Sequence, residues 1–116
     1  MHFKLVVALV DESATKKIIK AAREAGAKGA TVIGQAHGEG LRRERTFFGM
    51  GLAHQRDMVL MLVEEHFATP VLEAISKAGE FDDKAGTGIA FSLDVDDAVG
   101  VAHQIEELTH EVESEL

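Results

Sequence analysis

Apolar and polar residues follow one another along the chain in blocks of changing period. Leu5–Val10 reads LVVALV without a break and is bounded by Lys4 on one side and Asp11-Glu12 on the other. Six consecutive apolar residues predict a strand, Lys4–Val10, covered on much of both faces. The period then becomes helical: Ala14, Ile18, Ala22 and Ala25 fall on one side, and Lys16, Lys20 and Arg23 on the other. Asp11 or Ser13 can accept a bond from the open amides at the start, and Gly26 can take the left-handed position at the end. A helix over 13–25 follows. Residues 29–36 (GATVIGQA) are rich in β-formers at their centre and predict a second strand.

Residues 37–56 carry Gly38, Gly40, Gly49 and Gly51 and four arginines, with no helical stripe, and read as one long loop. A loop of that length within a small domain tends to be functional or mobile. Residues 57–63 (DMVLMLV) form a third apolar run. Thr69-Pro70 predicts the start of a second helix, Thr69 as N-cap and Pro70 at the first helical position, where its missing N–H costs nothing. Val71, Leu72, Ile75 and Ala78 would be its buried stripe, with Gly79 ending it. The polar segment EFDDKAGTG precedes a fourth strand over 89–93. Asp94 then reads as the cap of a C-terminal helix over 95–112, whose apolar side is Ala98, Ala102, Ile105, Leu108 and Val112.

The predicted order is β-α-β-β-α-β plus a C-terminal helix. Two split βαβ units of this kind make an α+β, ferredoxin-like fold: a four-stranded antiparallel sheet with two helices on one face. The whole chain, 1–116, reads as a single domain of ordinary size. Many functions share this architecture, so function has to be read from the site.

Composition removes several classes of chemistry. Cysteine, tryptophan and tyrosine are all absent, which excludes disulfides, thiolate metal sites, Cys nucleophiles and Tyr acid–base groups. The net charge is −8, which argues against nucleic-acid binding, since that needs phosphate-neutralising Lys and Arg. The charge is unevenly divided. Residues 1–56 hold ten basic side chains against five acidic ones, a net +5; residues 57–116 hold two against fifteen, a net −13. One part of the molecule can therefore face anions while the rest is a solvating shell, or two helices simply differ in surface charge. No apolar stretch approaches the length of a membrane span or a signal segment, so no direct membrane insertion is expected and a cytoplasmic location is the default.

Three segments remain as site candidates. His37-Gly38-Glu39-Gly40-Leu41 follows the second strand, Lys84-Ala85-Gly86-Thr87-Gly88 precedes the fourth, and the loop over 41–56 joins strands two and three. Glycine pairs one residue apart let successive amides approach a phosphate or carboxylate closely, although ordinary turns also use them. Arg42, Arg43 and Arg45, with Arg56 at the loop's exit, could hold an anion or an acidic partner, or simply be solvated. Phe47-Phe48 could divide between packing on the domain and anchoring a partner. His103 and His110, with Glu106 and Glu107 between them, could meet a divalent ion or merely decorate a helix. His37 and His54 flank the loop. Glu64-Glu65-His66 lacks the second His of a HExxH site. No nucleophile–base pair at a recognisable spacing and no Ser in a strained glycine turn is present, so no catalysis is expected.

The residues also resemble those of a known family. GTGIAFSLDVDDAV over 86–99 is similar in spacing and type to the GDGKIFV-D-EEAV signature of the PII nitrogen-regulatory signal-transduction proteins. HGEGL stands where that family has a KGFGR-like turn, with one residue inserted, and AAREAGAKGATV matches its end of helix one and start of strand two. The resemblance spans about residues 3–103 and gives residues 41–56 the place of the family's T-loop. It implies a homotrimer that binds an adenine nucleotide (ATP, ADP or AMP) in clefts between subunits. The T-loops would act on a regulated partner, such as a membrane transporter or an enzyme.

There are departures from that pattern. Ile89 stands where the signature has lysine, and Gly100 and Ala102 stand where two phosphate-gripping arginines would be. Lys84 matches a basic position of the family's loop, and Arg42 or Arg43 could partly substitute. The loop is shorter, has no Tyr to carry a uridylyl group, and lacks the magnesium-holding glutamine after HGEGL. The leading expectation is a non-enzymatic PII-like regulator with a small anionic ligand between HGEGL and the KAGTG loop of an adjacent subunit. The alternatives are a trimer responding to divalent cations, built on His and carboxylates, and a ligand-free interaction scaffold.

Overall fold

The computed structural model describes residues 1–36, 46–47, 50–51 and 56–101. The first strand, β1 (Phe3–Asp11), runs into a single 3-10 turn over Glu12–Ala14 and then into helix α1 (Thr15–Glu24). Strand β2 (Thr31–Ala36) follows. Two short segments, β3 (Thr46–Phe47) and β4 (Met50–Gly51), pair with each other as a separate antiparallel ladder inside the region expected to be loop. Strand β5 (Arg56–Glu64), helix α2 (Glu65–Gly79) and strand β6 (Gly88–Val95) complete the described chain.

The main sheet has the order β2-β5-β1-β6, and its pairings are antiparallel. This is the ferredoxin-like arrangement. Each βαβ unit places its two strands with one strand of the other unit between them, and the two units interleave.

Register explains why β1 is apolar from Leu5 to Val10. Val6, Ala8 and Val10 are buried beneath the helices with Val59, Met61 and Val63 of β5. Ile18 and Ala22 of α1 and Ala68, Val71 and Ile75 of α2 close this core. Full burial of an Ile or Val side chain contributes about 1.5–3 kcal/mol, so this one layer carries much of the domain's stability. Among the described residues, the other face of β1 meets no helix. Leu5, Val7 and Leu9 pair in register with Leu62, Leu60 and Met58 of β5 and with Leu93, Phe91 and Ile89 of β6. Those rows form an apolar grid, on which Leu93 is 51% exposed.

Helix α1 ends as its sequence predicts but starts later, at Thr15 rather than at residue 13, because Asp11 caps the 3-10 turn instead and the N-cap of α1, Ala14, has no side-chain bond. Asp11 accepts the Ser13 N–H at 3.0 Å, and Gly26 has φ +123°. Gly26 is required for a second reason, since a Cβ there would lie 2.5 Å from Cδ1 of Phe67.

Two further expectations are corrected. Helix α2 begins at Glu65 rather than at Thr69-Pro70. The Glu64 carboxylate caps it by accepting the His66 N–H at 2.8 Å, which leaves Pro70 inside the helix. Proline there removes the amide that would reach the carbonyl of His66, a local loss that the buried stripe of α2 outweighs. Gly79 ends the helix as expected, and the left-handed position falls on the next residue, Glu80 (φ 55°, ψ 39°). The predicted cap Asp94 is a member of β6, opposite Lys4 of β1, and residues 96–101 are not helical. The rest of that expected helix, 102–112, lies outside the described residues.

Candidate functional site

Of the three candidate segments, the structure describes Lys84–Gly88 in full. The candidates His37, Gly38, Glu39, Gly40, Leu41, Arg42, Arg43, Arg45 and Phe48 lie outside the described residues, as do His54, His103 and His110. Phe47 is described only as backbone in β3.

The Lys84–Gly88 loop is built on the end of α2. Glu80, left-handed, turns the chain out of the helix, and Phe81 N–H donates back to the Ser76 carbonyl at 3.0 Å. The Glu80 carbonyl then accepts the Lys84 N–H at 3.0 Å. The Thr87 hydroxyl lies 3.1 Å from that same carbonyl and 3.0 Å from the carbonyl of Lys84, so its one proton is spent inside the turn. Gly86 has φ +81°. The Lys84 ammonium sits 3.2 Å from the Glu80 carboxylate, with both side chains well exposed.

Phe81 locks this loop to the body. Its ring lies against Gly79 and Gly88. A Cβ on Gly88 would come within 2.7 Å of the ring and 2.9 Å of the Leu9 carbonyl, and one on Gly79 would overlap the same ring. Gly88 is therefore first a packing glycine. An open cleft of about 860 Å³ runs beside the loop between α2 and β6, with Leu72, Phe81 and Ala90 in its floor and Glu73, Lys77 and Asp82 at its rim.

The loop's position on the sheet matters for function. Gly88 pairs with Val10, Asp11 with Arg56, and Arg56 with Ala36. The entry to β6, the end of β1, the entry to β5 and the end of β2 therefore share one end of the sheet. The chain leaves β2 at that end into His37–Leu41. Because β2 and β6 are opposite edges, the two segments start three strand spacings apart, roughly 14 Å.

That end of the sheet also holds a polar cluster that the sequence reading missed. Arg56, expected among the cations of the loop, is 7% exposed, and its Nη1 lies 3.4 Å from Asp11. Asp11 accepts the Ser13 hydroxyl at 2.8 Å, and Asp57 accepts that of Thr15 at 2.6 Å. A buried guanidinium needs a partner such as Asp11, so Arg56 acts as a fixed post at the loop's exit. The signal in the sequence was its place one residue before the apolar run.

At the opposite end, Glu64, Glu65 and His66 come close enough to share a cation. Glu64 is 2% exposed, and its carboxylate already meets both the N–H and Nδ1 of His66. A cation there would also face the positive end of α2. The group is a helix cap. Nearby, the Asp94 carboxyl is held below its ordinary range, first by a hydrogen bond with His2 and then by Lys4, 3.2 Å away. Among the described residues, no helix is long and apolar enough to cross a membrane.

Comparison with known proteins fits this geometry. A PII-like signalling candidate from Thermus thermophilus is 26% identical, with 82% of this chain and 88% of that one covered and a TM-score of 0.60. CPII from Thiomonas intermedia, a nitrogen regulatory PII-like protein, is 19% identical in two solved forms. The form bound to ADP, AMP and acetate covers 83% of this chain and 90% of that one, with a TM-score of 0.60. The apo form covers 82% and 90%, with a TM-score of 0.61. None of the curated proteins matches this chain. Residues 3–104 match the family model described as nitrogen regulatory protein P-II. The chain thus belongs to the P-II family of nitrogen regulatory proteins.

Proposed function

We propose that this P-II protein senses a phosphate-bearing metabolite, an adenine nucleotide, at clefts between subunits of a homotrimer, and controls a partner protein through residues 41–56. The family is one of regulatory rather than enzymatic proteins. The observation that carries the ligand reading is the anchored Lys84–Gly88 loop, set at the same end of the sheet as the exit of β2 but on the opposite edge. Segments so separated on one subunit meet most readily when the β6 edge of one copy approaches the β2 edge of the next. The grid of Leu5, Leu62, Phe91 and Leu93, covered by neither α1 nor α2, favours such assembly, since large apolar faces of this kind are seldom left in water. The structure of CPII with ADP and AMP, although only 19% identical, supports the choice of nucleotide class.

Ile89 cannot replace the signature lysine. It lies in β6, paired with Leu9 of β1, and Lys84 is the one cation of residues 80–88. ADP and AMP, with less phosphate charge to neutralise than ATP, are the better ligands for so lightly charged a loop. Binding would change the exposure of residues 41–56 and so the surface offered to a membrane transporter or an enzyme. Calorimetric titration of the full chain with ATP, ADP, AMP and bicarbonate tests this: heat from ADP or AMP is expected, and none from any nucleotide would end the nucleotide reading. Light scattering tests the trimer, and a monomer at micromolar concentration would end that part.

A further inference from the structure

We infer that Glu80 is a built-in counter-anion for Lys84, so that a ligand anion binds the Lys84–Gly88 loop by exchange, displacing the Glu80 carboxylate from the ammonium. The inference rests on the proposal that this loop receives an anionic ligand, and adds the residue that sets its affinity and selectivity.

Three observations carry it. Lys84 stands alone as a cation in a segment that also holds Glu80, Asp82 and Asp83, so an incoming anion depends on it. Its Nζ lies 3.2 Å from the Glu80 carboxylate, one helical turn away in sequence. The same residue organises the loop through its backbone: the Glu80 carbonyl takes the Lys84 N–H and lies within reach of the Thr87 hydroxyl. Backbone and side chain thus have separable tasks. The carbonyl can hold the loop in shape while the carboxylate leaves.

The position itself is informative. Glu80 has φ 55°, a conformation in which glycine is the residue of least strain, yet a long acidic side chain stands there. Nothing in the turn requires a side chain at this position except the contact with Lys84. The pair is exposed, with side-chain accessibilities of 66% for Lys84 and 45% for Glu80. Exposed ion pairs are weak, so this one is exchangeable rather than structural. It also discriminates. A monocarboxylate or bicarbonate offers the ammonium no more than Glu80 already does. A phosphate or diphosphate group carries more charge and more acceptors, and so competes successfully. Asp82 is engaged elsewhere, with the Ser76 hydroxyl 3.4 Å away.

The test is calorimetry on the full chain with ADP and, separately, inorganic phosphate, for the parent protein, Glu80→Gln, Lys84→Met and the double variant. Glu80→Gln should tighten ADP about two- to threefold, with a smaller gain at high salt. Lys84→Met should weaken ADP by about tenfold, and the double variant should match Lys84→Met because the gain requires the ammonium. Glu80→Gly, which also relieves the left-handed strain, should tighten ADP to the same degree while raising Tm, separating charge from backbone. Weakening by Lys84→Met with no change in either Glu80 variant would overturn the counter-anion and leave the binding site standing. Equal gains from Glu80→Gln with and without Lys84 would also overturn it, since Glu80 would then act by general repulsion. ADP binding that is absent from every variant, or indifferent to Lys84, would remove the site reading and this inference together.

Discussion

The two βαβ units share one topology but leave their helices in different ways. Helix α1 is left through Gly26 at φ +123°, a conformation closed to ordinary side chains, and a short connection reaches β2. Helix α2 ends on Glu80 at φ 55° and is followed by eight residues, Glu80–Thr87, before β6 begins. The first exit is closed by Phe67 packed on the glycine. The second is held by Phe81 seated between Gly79 and Gly88, which frees Lys84 to face outward. Where one unit needs only to turn the chain, the other carries a polar loop, and it accepts a strained acidic residue to do so. Topology is shared; the length of one connection and one ion pair separate the two exits.

The contrast can be broken at its stiffest point first. Gly26→Ala should lose about 2–4 kcal/mol, because the backbone is forbidden to alanine and the new Cβ meets Phe67. Urea denaturation measures this, and a loss below about 1 kcal/mol would mean that the turn relaxes freely. Gly88→Ala should lose about 1–3 kcal/mol, since its Cβ meets the Phe81 ring and the Leu9 carbonyl without any forbidden φ. At the second exit the sign reverses. Glu80→Gly should gain about 0.5–1 kcal/mol, reduced by a few tenths for the lost pair with Lys84, and a loss instead would make that pair structural. The smallest effect lies at the far end of the sheet. The hydrogen bond with His2, and then Lys4, lowers the folded pKa of Asp94. Its stabilisation is therefore present at neutral pH and lost as pH falls through the carboxylate range. Asp94→Asn should flatten the acid side of the stability profile below about pH 5, measured by melting between about pH 3 and 7.

The fold was largely legible because burial alternates with the right period. Val6, Ala8, Val10, Ile18, Ala22, Val71 and Ile75 were all readable as core, and each is buried. The errors fell where local chemistry and tertiary pairing compete. Thr69-Pro70 is a strong start signal, yet Glu64, a weaker cap by residue type, wins because β5 delivers it buried beside His66. Asp94 followed by an apolar stripe looked like a cap, but Lys4 and His2 draw it into the sheet, a pairing that only the register of β1 and β6 reveals. Of the site, the Lys84–Gly88 turn and its abutment on a strand end were visible in advance. The left-handed Glu80 was not, since Gly79 beside it is the obvious C-terminal residue and its true task, making room for Phe81, depends on a contact across the fold. By its neighbours Arg56 reads as part of the loop, whereas its burial against Asp11 follows from strand pairing.

The sheet face turned away from α1 and α2 has a thermodynamic consequence. In the proposed homotrimer its Phe91 and Leu93, 41% and 51% exposed on a single subunit, would be covered by other copies. Part of the free energy that keeps each subunit folded would then be free energy of association, and association responds to dilution. Thermal stability would become a property of the amount of protein present, with a melting midpoint that rises as the protein is concentrated. A cell that makes less of such a regulator would hold not only fewer copies but less durable ones.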